Sequence, residues 1–240
     1  AGGRGARYGG LVTNVREYRG AYGGKSIEGG RAVVSSDAGR KALTEMRDEI
    51  YRDEIVPSAV LTWHEEESRF AFQNGESGFM RNWPYAYSLG NGADSKVKDL
   101  FGVTTLPVGA EGDASAATLG GWNVAVSKYS PHQEAAISLA VYLAGPEAQK
   151  WRAIHETHLP TIQSLYDDAD IAAAAPIIPQ WKNVFLNAVP RPSAPTKVKY
   201  NEVSSDFWSA VHDPLSCNGS AADNPEAPEA QLTCLNGAGW

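Results

Sequence analysis

Residues 117–136 read ATLGGWNVAVSKYSPHQEAA. Its first part, LGGWNVAVS (119–127), is predicted to form a strand. The second part carries Ser130-Pro131 followed by Gln133, a capping pattern with proline at the first helical position, and opens a helix through Leu139 and Leu143. A strand that hands over to a helix is the repeating unit of an α/β chain.

The same alternation extends outward in both directions. SGFMRNW (77–83) and GVTTLPV (102–108) are two further strand candidates, and Phe79 and Met80 are expected in the packed interior. Asp37 is expected to cap a helix reaching about Arg52, because Ala42, Met46 and Ile50 recur at four-residue spacing and Val56-Pro57 follows. In LTWHEEESRFAFQNG, Thr62 and Glu65 have capping-box spacing, and Asn74-Gly75 supplies the stop. Gly145-Pro146 breaks one helix and starts another through Trp151 and Ile154, which Pro160 closes. A helix-poor, proline-rich stretch from Pro176 to Pro195 precedes an amphipathic segment around Phe207, Trp208 and Val211. This order of elements argues for α/β rather than an all-β fold or a helical bundle.

Composition narrows the function. The chain of 240 residues is 42% hydrophobic with seven tryptophans, enough for one large domain or two small ones. A formal charge of −7 and dispersed basic residues provide no stripe to neutralise phosphates, which excludes a nucleic-acid partner. No apolar run approaches the ~18 to 20 residues that a bilayer requires, so no transmembrane segment is predicted. The opening AGGRGARYGG has no apolar h-region, and no signal peptide is read in this chain. Cys217 and Cys234 either pair, which would add roughly 3 kcal/mol, or remain two thiols; spacing alone leaves both open.

Catalytic signatures are sparse. His64-Glu65-Glu66-Glu67 lacks the second histidine of a zinc protease, since position 68 is serine, and its carboxylates suit the first turn of a helix. His155 and His158 share a helix end with no third ligand nearby. Neither a nucleophile elbow, a P-loop nor a dinucleotide fingerprint occurs. No catalytic residue, metal or cofactor is therefore assigned, and the chain is read as a non-enzyme.

Aromatics at bends are more informative. Trp83 precedes a proline, and Trp122 follows Gly120-Gly121, where a ligand can approach the backbone. A pyranose offers an apolar face that stacks on indole or phenol, and hydroxyls that need polar groups at the rim. Arg191, between Pro190 and Pro192, can present a fork of donors to such hydroxyls.

Five stretches carry a family resemblance: EEESRFAFQNGESGFMRNWPYAY (65–87), FGVTTLPVG (101–109), the 117–136 segment, LPT (159–161), and Arg191-Pro192 followed by Y-x-x-VS (200–204). In order and spacing the chain resembles the extracellular solute-binding proteins of ATP-binding-cassette (ABC) sugar importers, of the trehalose/maltose-binding type. The resemblance implies a type II periplasmic-binding-protein-like α/β fold. It further implies two lobes with hinge crossings that close on a di- or oligosaccharide and deliver it to membrane permease subunits, outside the cytoplasm. It implies ligand contacts from Trp83, Tyr85, Gly121, Trp122 and Arg191. It places 1–121 in the second lobe, 122–168 in a return to the first, and 169–240 in the second again.

The chain departs from that pattern in lacking most of the first lobe. Two consequences are expected: an exposed apolar face including Leu139, Leu143 and Trp151, and impaired binding by this chain alone. Pro225, Pro228 and the two cysteines also depart from it, the prolines in a segment the family makes helical. The competing reading is a glycoside hydrolase, which uses similar aromatic platforms. A third is a structural remnant without a ligand.

Overall fold

The computed structural model describes residues 5–28, 31–34, 36–109 and 114–216, with backbone alone at 27, 28, 31 and 32. Cys217, Cys234, Pro225 and Pro228 lie outside the described residues. In chain order the helices are α1 (Gly9–Ala21), α2 (Asp37–Tyr51), α3 (Glu65–Gln73), α4 (Ala86–Gly90), α5 (Gln133–Ala144) and α6 (Pro146–Glu156). They continue with α7 (Ala169–Ala174), α8 (Ile177–Gln180), α9 (Lys182–Leu186), α10 (Ser193–Thr196) and α11 (Tyr200–Ser216). Strands β1 (Ile27–Glu28) and β2 (Arg31–Ala32) form an antiparallel hairpin, with Ile27 opposite Ala32.

Contacts divide the chain into two units. The first comprises Ala1–Asn82, Leu100–Leu119 and Ala188–Trp240; the second comprises Trp83–Asp99 and Gly120–Asn187.

In the first unit, α1, α2 and α11 enclose Leu11, Val12, Val15, Leu43, Phe207, Val211 and Leu215. The spacing of Ala42, Met46 and Ile50 does form the inward stripe of α2: Ala42 and Ile50 are buried, and Met46 packs against the core. Ser36 rather than Asp37 caps this helix, its hydroxyl accepting from the Gly39 N–H, while Asp37 pairs with Arg40. The α3 cap is likewise shifted from the expected Thr62–Glu65 pair. His64 is the N-cap and the Glu67 carboxylate accepts its N–H at 2.9 Å, while the Thr62 hydroxyl donates to the Ala59 carbonyl. Gly75, at φ 77°, ends the helix where Asn74-Gly75 predicted.

The second unit gathers Ala153, Leu165, Tyr166, Ile171, Ala175, Ile177 and Ile178 into its own core. Gly145 closes α5 and caps α6, and Pro146 occupies the first turn, as that dipeptide predicted. The helix predicted from Ser130-Pro131 starts later, at Gln133, with the Ser130 hydroxyl accepting the His132 N–H. The Pro176 to Pro195 stretch is broken into α8, α9 and α10, each of only four or five residues.

None of the three predicted strands forms a strand of a sheet among the described residues, although Met80 of the first takes part in a single β-bridge. Segments 102–108 and 119–127 belong to no helix or strand, and the 77–83 segment leaves Phe79 79% exposed rather than buried. Apolar alternation gives a segment the capacity to pair, but a strand exists only when a neighbour accepts its backbone hydrogen bonds. A short pairing does form where a neighbour is present. Thr118 and Val189 make a parallel bridge, with Val189 N–H donating to the Ala117 carbonyl at 2.7 Å and Leu119 N–H to the Val189 carbonyl at 2.8 Å.

Candidate functional site

Trp83 opens the second unit, and the structure explains its glycine neighbour. A Cβ built on Gly120 would lie 2.7 Å from two ring carbons of the Trp83 indole, so the ring rests on the Gly120 backbone and any larger residue there must displace it. Gly121, next along, faces open space, and Trp122 is 95% exposed. An indole on glycine followed by an open glycine and an exposed indole is a surface on which a flat apolar face can stack.

Tyr85 stands at the N-terminus of α4, and its ring stacks on His158 with centroids 6.4 Å apart and planes 20° from parallel. His158 lies 3.0 Å from the Glu156 carboxylate, and the Ser88 hydroxyl reaches both the Tyr85 and Glu156 carbonyls. The residues after α6 thus support the NWPY segment. Trp83, Tyr85, Gly121 and Trp122 all belong to this second unit.

Arg191 belongs to the first unit. Its guanidinium lies over Gly9, with Nη1 3.8 Å from the position a Gly9 Cβ would take. The preceding carbonyl, that of Pro190, accepts from Arg16 Nη2 at 2.7 Å. Arg16 and Arg19 both donate to the Ser26 hydroxyl. Burial pushes the Arg16 guanidinium below its ordinary value, with the like charge of Arg191 adding to the shift and Tyr200 and Glu17 opposing it. Arg19, almost fully enclosed, is pushed down to about 10 by burial and by the Arg16 charge.

The first unit also holds a charged pair that sequence reading missed. Glu17 of α1 accepts both Arg81 Nε, at 2.6 Å, and Arg81 Nη2, and it also accepts the Thr118 N–H at 3.0 Å. The Thr118 hydroxyl donates to the Thr13 carbonyl at 3.2 Å. The only local signal was an acid on the helix that also carries Leu11, Val12 and Val15.

The carboxylates that resembled a metalloprotease motif have structural partners. Glu65 accepts from the Tyr8 hydroxyl at 2.7 Å, Glu66 pairs with Arg69, and Glu67 closes on the His64 N–H. His155 packs against Trp151. No cluster of three or more His, Cys, Asp or Glu suited to a metal ion occurs among the described residues, and none of their helices is long and apolar enough to cross a membrane.

Known proteins supply the context for this arrangement. Residues 3–150 match the family model of the bacterial extracellular solute-binding protein. The chain is 40% identical over 239 residues to a probable ABC transporter-binding protein of Deinococcus radiodurans, covering 99% of this chain and 56% of that relative. It superposes on the maltose-bound MalE3 of T. maritima with a TM-score of 0.84 and 38% identity, covering 98% of this chain and 60% of the other. A solute-binding protein of Thermotoga lettingae, bound with α-D-tagatose, is 22% identical with a TM-score of 0.76 and shares the fold. The chain therefore spans somewhat over half the length of these relatives. The fold is the α/β type II fold of periplasmic solute-binding proteins. Since the family model covers more than half of its residues, this chain belongs to the bacterial extracellular solute-binding protein family.

Proposed function

We propose that the chain carries part of a carbohydrate site in a solute-binding component of an ABC importer, and that its ligand is a di- or oligosaccharide of the maltose or trehalose kind. The observation that carries this reading is the Trp83 indole seated on Gly120, beside the open Gly121 and the exposed Trp122. Trp83, Trp122 and Tyr85 offer stacking faces, Gly121 lets a ring approach the backbone, and Arg191 offers donors to hydroxyls. The maltose-bound relative supports the ligand class. In this reading, 1–121 and 169–240 are second-lobe material and 122–168 belongs to the first lobe. The protein acts outside the cytoplasm as a non-catalytic carrier and hands its sugar to permease subunits.

The 240-residue chain alone is proposed to bind weakly. A micromolar site corresponds to about 8 kcal/mol, and half of that leaves a dissociation constant of about a millimolar. Titrating maltose and trehalose while following indole emission is expected to give a saturable shift in that range, absent in Trp122→Ala. Silence across a broad sugar panel would overturn the carbohydrate reading, and micromolar affinity would overturn the weakness. New reducing ends released from oligosaccharides, and lost on a carboxylate substitution, would turn the assignment toward a glycoside hydrolase.

A further inference from the structure

Helix α1 has two faces of opposite chemistry. Leu11, Val12 and Val15 enter the core with α2 and α11. Thr13, Arg16, Glu17 and Gly20, spaced three or four apart, make a second stripe that meets polar backbone. Gly20 allows close approach there: a Cβ would lie 2.4 Å from that of Ala116.

Three separate chain segments end on this stripe. Arg81 reaches Glu17 with two nitrogens, Thr118 donates its N–H to Glu17 and its hydroxyl to Thr13, and the Pro190 carbonyl accepts from Arg16. The second and third segments are also joined by the Thr118–Val189 bridge. All these anchors lie in the first unit, next to the points where the chain leaves or re-enters it at 82/83, 119/120 and 187/188. Each anchor also precedes a candidate ligand residue by one to three positions: Arg81 comes before Trp83 and Tyr85, Thr118 before Gly121 and Trp122, and Pro190 before Arg191.

The Glu17 and Arg81 side chains are only 5% and 17% exposed. A buried ion pair is a poor device for stability alone, because desolvating both charges offsets most of their attraction. It is an effective device for register, since a bidentate fork and an aligned N–H tolerate one arrangement and penalise others. An apolar contact would hold α1 against these segments without fixing where each one starts.

We infer that Glu17 is the positioning residue of the carbohydrate site. Together with Arg16 it fixes the starting points of the three segments that bear Trp83 and Tyr85, Gly121 and Trp122, and Arg191. It touches no ligand itself. This inference rests on the carbohydrate reading for its functional consequence, and on the hydrogen bonds above for the clamp.

Amide hydrogen exchange and sugar titration on the 240-residue chain, Glu17→Leu and Glu17→Leu/Arg81→Leu, which remove the acceptor, test it together. The double variant leaves no buried charge unpaired and serves where the single variant does not fold. Exchange at the Thr118, Leu119 and Val189 amides is expected to rise about tenfold or more, with core amides of α2 and α11 unchanged, and maltose affinity to fall about tenfold. A uniform rise along the chain would reduce Glu17 to a stability role, and no local rise would remove the clamp. Unchanged affinity despite local loosening would overturn the positioning role. If the unsubstituted chain binds no sugar, the carbohydrate reading fails, and the local exchange pattern still decides the clamp.

Discussion

Gly120 illustrates how much can rest on one missing side chain. With the Trp83 ring where its Cβ would be, Gly120→Ala must displace either the indole or the backbone. Overpacking of this kind costs about 1 to 3 kcal/mol in urea unfolding. It is also expected to shift the emission of Trp83 before any sugar is added. Alanine at Gly121, which has nothing within 4 Å, is the matched control and is expected to leave both readouts unchanged. Equal effects at the two positions would disprove the packing argument. The sequence showed a glycine pair before a tryptophan; which glycine lies under which indole depends on a residue 37 positions earlier.

Among elements, the junction of α6 and α7 is controlled by Asp168. Its carboxylate accepts from Lys150 of α6 at 2.8 Å and caps α7 through the Asp170 and Ile171 N–H groups. The Lys150 hydrogen bond, followed by the cap, holds this carboxyl below its ordinary 3.8. A depressed folded value means that the ionised form favours the folded state. Its contribution is complete above 3.8 and is lost as pH falls through the depressed value. Asp168→Asn keeps the capping oxygen and removes the titration, so thermal unfolding followed by circular dichroism is expected to show a shallower loss of stability below pH 3.8. An unchanged acid limb would locate the dependence elsewhere.

Helix boundaries marked by Gly-Pro or Asn-Gly were legible at this scale, because their causes are local, whereas α1 carried no such mark and was not read. Gly145-Pro146 and Asn74-Gly75 act through their own backbones, and both ended helices where read. The caps were legible only as chemistry: Ser36 and the His64–Glu67 pair took positions expected for Asp37 and Thr62–Glu65. Neighbouring residues able to cap compete within a residue or two, and packing of the helix chooses among them.

For the whole molecule, the most conspicuous surface is α5. Ile137, Leu139, Val141 and Tyr142 are exposed, no residue of that helix is buried, and Trp151 of α6 is exposed as well. The exposure expected for Leu139 and Trp151 is present, while Leu143 is partly buried. Apolar surface of this extent favours association in water. Replacing Ile137 and Val141 together by lysine is expected to lower the particle size seen by light scattering at high concentration, with little change in unfolding midpoint. A marked loss of stability would show that these side chains already have a packing partner in solution.

By itself the sequence determined the helices with local punctuation, the inward stripe of α2, the family, and the aromatic segments that suggest a sugar. Those features arise from short-range spacing or from motifs that remain visible in one dimension. Tertiary structure decided that the three predicted strands form no sheet among the described residues, that Phe79 is exposed, that Trp83 rests on Gly120, and that Glu17 meets Arg81 and Thr118. Each of these depends on partners distant in the chain, where burial sets whether a side chain packs or pairs, and backbone hydrogen bonds form only where a neighbour accepts them.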